Sequence, residues 1–127
     1  MRKGEAVAVS VVILASLGTV AATFGYSWLG RTSSRIELLA RAPERGNWSP
    51  QTIEVERGKE VTLVIRNVDA VSHGFYLPEM DVNAGVIKAG EVKEITFTPE
   101  TAGEFTFYCS VWCSDHHMHM RGTLIVK

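Results

Sequence analysis

From Ala6 to Leu29 the chain reads AVAVSVVILASLGTVAATFGYSWL, without one charged side chain. About 20 apolar residues at ~1.5 Å rise per residue cross the ~30 Å hydrocarbon layer of a bilayer, so this run predicts a membrane-spanning helix. Of the 127 residues it leaves roughly 90 to 95 for one small folded unit. Arg2 and Lys3 precede the run, and Tyr26 and Trp28 sit near its far end, where amphipathic rings favour the headgroup region. That order places the N-terminus on the cytoplasmic side, although Arg31 and Arg35 beyond the run keep the charge bias small. The rival reading is a secretory signal, with Arg2 and Lys3 as its basic start and Val20-Ala21-Ala22 as a small-residue cleavage site. Apolar residues continuing to Leu29 favour the anchor. A formal net charge of −1 with interspersed signs gives no basic field, so nucleic acid is excluded as an expected partner.

Past the linker Gly30 to Ser34, no stretch from Ile36 onward sustains a helical period. Thr52 to Glu56 alternates apolar with polar, Arg57-Gly58-Lys59 reads as a turn, and Val61 to Ile65 is β-branched, so these two runs are expected to form a hairpin. Phe75 to Leu77, Asn83 to Ile87, Val92 to Thr98, Glu104 to Tyr108 and Gly122 to Lys127 continue the series, separated by Pro and Gly punctuation. About seven short strands at this spacing predict an all-β Greek-key sandwich. The expected organisation is an anchor or signal over 1–30, a linker and first strand over 31–47, and the sandwich over 48–127.

Outside Met1, the soft metal-ligand types fall into two pieces: His73 with Met80, and Cys109 to Met120. The second piece, Cys-Ser-Val-Trp-Cys-Ser-Asp-His-His-Met-His-Met, sets a thiol at Cys109, another at Cys113, an imidazole at His117 and a thioether at Met120 along a loop between two strands. Two His, one Cys and a weak axial Met make an electron-transfer copper set, which His73, Cys113, His117 and Met120 supply. Cys109 adds a second thiolate, and two bridging sulfurs let two copper ions share charge, one imidazole to each, with Met120 and a backbone carbonyl such as that of Val111 as weak donors. Three simpler readings stand beside this one. Two lone cysteines on an exported domain form a structural disulfide; two Cys and two His suit tetrahedral zinc, which gives no reason for Met120; and Cys113 alone suits a single blue copper.

The pattern Cys-x3-Cys-x3-His-x2-Met with upstream His73-Gly74-Phe75 resembles the CuA domain of cytochrome c oxidase subunit II and of nitrous-oxide reductase, both cupredoxin sandwiches. The likeness runs from about residue 48 to 127 and takes in Asn47-Trp48-Ser49-Pro50, Ile53 to Gly58, Asn67-Val68-Asp69 and Arg121-Gly122-Thr123. It implies two copper ions, with Cys109 and Cys113 as bridging thiolates, His73 and His117 as imidazole ligands, Met120 as the weak sulfur ligand and Val111 as the carbonyl donor. Where subunit II typically has an acidic or amide residue, this chain has Val111, so a side-chain role there is lost. The wording around Cys109 is nearer to nitrous-oxide reductase, whose propeller has no room in 127 residues.

The resemblance implies electron transfer from a c-type cytochrome or small copper protein to a haem-copper oxidase catalytic subunit or another reductase, in a membrane-anchored module facing the extracytoplasmic side. The chain is read as an electron-transfer subunit rather than a catalyst alone: no Gly-x-Ser-x-Gly and no carboxylate pair stands out. The alternative is a copper-binding protein for storage, sensing or delivery. His116 and His119 miss the ligand spacing and are expected in solvent; Met118 and Met80 are expected to pack; Trp112 is either a packing lid or an electron route, and Trp48 belongs to the core or its rim.

Overall fold

A computed structural model describes residues 2–29 and 33–127. Gly30, Arg31 and the ring positions of Tyr26 and Trp28 lie outside the described residues, and with them the expectations placed there. The chain divides into two compact units, Met1–Thr32 and Ser33–Lys127.

In the first unit the apolar run forms helix α1 (Lys3–Leu29), long and apolar enough over Val7–Gly25 to cross a membrane. The hydroxyls of Ser16 and Thr23 are turned back on the helix. Ser16 donates to the carbonyls of Val12 and Ile13, and Thr23 to those of Thr19 and Val20, each at 2.9 Å. Such local bonds satisfy polar groups where hydrocarbon offers no partner.

The second unit is a sandwich of two sheets built from eight strands: β1 (Ser34–Ala40), β2 (Thr52–Val55), β3 (Val61–Asn67), β4 (His73–Leu77), β5 (Val82–Ile87), β6 (Val92–Phe97), β7 (Gly103–Tyr108) and β8 (Arg121–Val126). One sheet runs β1-β3-β6 and the other β2-β8-β7-β4-β5. The hairpin expected of β2 and β3 does not form. β2 pairs in parallel with β8, and β3 lies between parallel β1 and antiparallel β6 in the other sheet. The intervening turn is a corner between sheets rather than a hairpin loop. The Arg57 N–H donates to the carbonyl of Lys127 at 2.8 Å, the Gly58 N–H to that of Pro99 at 2.8 Å, and Gly58 sits at φ 74°. The turn residues were legible in sequence, whereas the long-range bonds that turn them outward were not.

Between the sheets lie Leu38, Leu63 and Ile65 from one side and Phe75, Leu77, Phe107 and Leu124 from the other, all buried. Trp48 drops into this layer from the segment joining β1 to β2 and meets Phe75 and Phe107 edge-on, at centroid separations of 5.8 and 5.7 Å. Burying each of these rings stabilises the fold by roughly 1.5–3 kcal/mol. Their packing leaves no space at Gly122, where a Cβ would run into the Phe107 ring and come within 2.7 Å of the Gln51 carbonyl. This aromatic layer forms the floor under the β7–β8 loop.

Candidate metal centre

Two pieces of chain converge above that floor: the start of β4, which carries His73, and the loop from Cys109 to Met120 that joins β7 to β8. The first piece is set by a buried amide. Asn67, at the end of β3, donates through Nδ2 to the carbonyls of Val71 (2.8 Å) and Ile87 (2.9 Å) and accepts the Asp69 N–H at 2.9 Å. These bonds fold the segment before β4 into a bend that aims Asp69 at the histidine. Asp69 Oδ2 lies 3.1 Å from His73 Nε2 and also accepts the Ala42 N–H (2.7 Å) and Arg45 Nη2 (3.0 Å). Arg45 Nε reaches the other carboxylate oxygen at 2.6 Å.

Burial by itself would raise the Asp69 pKa, but the Ala42 N–H, Arg45 and His73 outweigh it and hold the carboxyl below its ordinary value. A carboxylate only accepts, so the His73 proton belongs on Nε2 and the Nδ1 lone pair turns inward. Burial also lowers the His73 pKa, against the opposing pull of Asp69, which favours the neutral imidazole that a metal needs. His73 Nδ1 stands 3.8 Å from Cys109 Sγ.

Cys109 leaves β7 with its N–H donated to the Met120 carbonyl at 3.0 Å, which closes the base of the loop. Its thiol faces the Val111 carbonyl at 3.1 Å, and the sulfur accepts the Gly74 N–H at 3.5 Å. This close approach requires glycine: a Cβ on Gly74 would strike Ser110 Oγ and come within 2.9 Å of Val111 Cγ2. Cys113 Sγ lies 3.6 Å from His117 Nδ1 and 3.7 Å from Met120 Sδ. Both cysteines are buried and free, so the disulfide reading does not describe this structure. Burial, then the neighbouring Cys109, push the Cys113 thiol up to about 12.

His117–His119 forms a single 3₁₀ turn. Three residues per turn put i and i+3 on one face, so His117 and Met120 both face the thiols while Met118 is tipped outward. Met118 is 72% exposed, which corrects the expectation that it packs. Met80 does pack against the core, in another 3₁₀ turn, Pro78–Met80, beside Phe105. Trp112 is 68% exposed with its ring 5.8 Å from that of His117, so it is no lid on the core, whereas Trp48 is fully core. A cavity of about 200 Å³ lined by Tyr108, Cys109, His117, Met118 and Met120 opens on the loop.

All six residues singled out in the sequence therefore meet at one place. His73, Cys109 and Cys113 offer ligand atoms within 4.8 Å of one another; His117 and Met120 flank Cys113, and the Val111 carbonyl flanks Cys109. Two thiols, two imidazoles, a thioether and a carbonyl form a soft set that fits copper. Sequence reasoning missed Asn67 and Arg45, whose roles are set by distant partners, and it missed that His116 Nδ1 faces Glu44 Oε1 at 2.9 Å. A bond to its own backbone N–H, followed by that histidine, lowers the Glu44 pKa to about 2.

A family model for the cupredoxin-like domain matches residues 17–126. The chain is a member of that family. This cupredoxin is 33% identical over 95 residues to the nitrous-oxide reductase of Ralstonia nicotianae, a match covering 72% of the chain and 14% of that protein. It is 34% identical over 80 residues to cytochrome c oxidase subunit 2 of Thermus thermophilus, covering 63% and 58% respectively. It thus spans about a seventh of the one relative and little more than half of the other. Among solved structures, a chain of a heme-copper terminal oxidase dimer matches with a TM-score of 0.63 at 20% identity, covering 98% of this cupredoxin and all of that chain. A cupredoxin fold carrying this donor set implies copper binding and points to copper-mediated electron transfer.

Proposed function

We propose that this cupredoxin is an electron-transfer module of the CuA kind, in which the Cys109 and Cys113 thiolates would together hold two copper ions. His73 and His117 supply one imidazole each, Met120 the thioether and Val111 the backbone carbonyl. One observation carries the reading: the donors fall into two matched halves about the thiol pair. Cys109 has His73 Nδ1 at 3.8 Å and the Val111 carbonyl at 3.1 Å. Cys113 has His117 Nδ1 at 3.6 Å and Met120 Sδ at 3.7 Å. A single blue copper on His73, Cys113, His117 and Met120 would leave the Cys109 thiol and the Val111 carbonyl without a ligand role.

When bound, such a pair of ions takes up and releases one electron shared between both metals. The rest is the work of this chain's own residues. The sandwich keeps both sulfurs away from water, the Asn67 and Asp69 bonds hold the His73 ring and its tautomer, and the 3₁₀ turn presents His117 and Met120 together. Exposed Trp112 and Met118 lie beside His117 at the surface, where a partner would approach. Residues 1–30 serve as the membrane anchor and 31–47 as linker and first strand, with the copper-bearing domain over 48–127 on the extracytoplasmic side. The donor is a c-type cytochrome or small copper protein, and the acceptor a haem-copper oxidase catalytic subunit or other reductase.

Electron paramagnetic resonance of the copper-loaded chain tests this. A seven-line hyperfine pattern from one electron shared by two copper nuclei is expected, with two copper ions per chain. A four-line pattern, or one ion per chain at saturation, would overturn it.

A further inference from the structure

The 3₁₀ register that turns His117 and Met120 inward puts His116 and His119 together on another face. Both are exposed, and their ring centroids lie 6.2 Å apart. The backbone beneath them is fixed. The His119 N–H donates to the His116 carbonyl at 2.8 Å, Asn47 Nδ2 donates to the His119 carbonyl at 3.0 Å, and Arg121 Nη2 donates to the Met118 carbonyl at 2.8 Å. Glu44, from the 3₁₀ turn Pro43–Arg45, takes the Nδ1 side of His116 at 2.9 Å. With its proton on Nδ1, His116 keeps the Nε2 lone pair available. This carboxylate–histidine arrangement is the one that orients metal-bound imidazoles. Two imidazoles on one ion, with metal–nitrogen distances of ~2.0–2.1 Å, have centroids about 5 to 6 Å apart. A small rotation of the exposed His119 ring, whose imidazole has no hydrogen bond among the described residues, closes the difference.

We propose that His116 and His119, with Glu44 orienting the first, form a second metal site, facing solvent and separate from the buried thiols, that takes a divalent cation with a preference for imidazole, such as Ni²⁺, Cu²⁺ or Zn²⁺. Water completes the coordination. The site is independent of what the buried centre holds, and the test keeps the two apart.

Ni²⁺ is titrated calorimetrically into the full chain in detergent and into its Cys109→Ser/Cys113→Ser variant. One high-affinity equivalent is expected in both, with affinities agreeing within about twofold. His116→Ala and His119→Ala should each weaken it tenfold or more, and Glu44→Gln by about tenfold, as loss of an orienting carboxylate does. Unchanged nickel affinity in both histidine variants, or nickel binding that disappears with the thiols, overturns the proposal. The unmodified chain gives a readout that no folding defect can blur: at substoichiometric Ni²⁺ the ring proton resonances of His116 and His119 should broaden while that of His73 stays sharp. Broadening of the His73 ring while those of His116 and His119 stay sharp also overturns it.

Discussion

The two walls of the metal centre are held in different ways. His73 stands on a sheet strand, fully buried; Asp69, four residues before it, holds its ring, and that carboxylate and the Asn67 amide are in turn fixed by distant partners, the Ala42 N–H, Arg45 and the Ile87 carbonyl. The opposite wall, from Cys113 to Met120, is fixed mainly by its own short bonds. His117 N–H donates to Ser114, His119 N–H to His116 and Met120 N–H to His117, at 3.0, 2.8 and 2.9 Å, and its rim residues Trp112 and Met118 are exposed. The first wall is part of the fold's cooperative core, and the second is a local device laid on top of it. Segments rich in exposed, local hydrogen bonds open at lower free energy than core strands, so donors on the loop give way before His73 does.

The largest effect should come from the atoms both walls share. Cys109→Ser removes the sulfur that faces His73 and the Val111 carbonyl, and it should reduce the copper bound at saturation to one ion per chain or fewer and abolish the seven-line spectrum. Retention of two ions per chain would mean that the bridging role belongs elsewhere. Next comes Asp69→Asn, which attacks the sheet-borne wall alone. The amide cannot accept from Ala42, Arg45 and His73 at once, and hydrogen bonds to a buried charged group contribute about 1.5–3 kcal/mol each to the pair that makes them. A loss of about 2–4 kcal/mol in urea unfolding and a 10- to 100-fold weakening of copper binding are expected, the second because the partner that orients a ligand imidazole is gone. Equal stability of variant and parent would show that the Asp69 network adds nothing to the fold.

The pH dependence of the metal-free chain separates the walls again. His73 and Asp69 both have lowered pKa values in the folded state, so the unfolded chain binds their protons more readily. Their contribution is complete above about pH 6.5, the ordinary histidine value, and is lost as pH falls through that window and then through the Asp69 range. Cys113 acts in the opposite sense. Its folded pKa is raised from 9.0 to about 12, so its contribution is complete below 9 and is lost as pH rises toward 12. Melting temperatures should therefore peak between about pH 6.5 and 9 and fall on both sides, with Asp69→Asn flattening only the acid limb. Because copper must displace thiol protons, its apparent affinity rises with pH over the same range.

Much of the centre was readable because its chemistry is written in unusual residue types at fixed intervals. The spacing from Cys109 through Cys113 and His117 to Met120 is what a single loop with one 3₁₀ turn needs to turn four donors inward. Strand positions were readable for a similar reason, since alternation and Gly or Pro punctuation are local. What was hidden depends on distant pairing. The exchange of β2 and β3 between sheets is decided by β8 and β1, and nothing within Thr52 to Ile65 records it. Spacing sets Met120 apart from Met118, but nothing in the sequence marks Met118 as exposed until the turn assigns the two to different faces. Asn67 and Arg45 look like ordinary surface polar residues, and only the folded path from β3 to β4 makes one the organiser of a bend and the other a counter-charge to Asp69.

The smallest of these effects probes one of the bonds that tie the loop-borne wall to the rest of the domain from outside. Asn47 donates to the His119 carbonyl at 3.0 Å and accepts the Trp48 N–H at 2.8 Å, from a backbone at φ 60°. Glycine tolerates that conformation at no steric cost, so Asn47→Gly removes the side-chain bonds without adding strain. The two bonds are largely exposed or local, and a neutral bond contributes about 0.5–1.5 kcal/mol net. A loss of about 1 kcal/mol in urea unfolding is expected, with hydrogen exchange accelerated at the His119 and Met120 amides and unchanged at Phe75 in β4. If exchange at Phe75 rose by as much as that at Met120, the two walls would be opening as one unit, and the distinction between a core-held and a locally held side would fall.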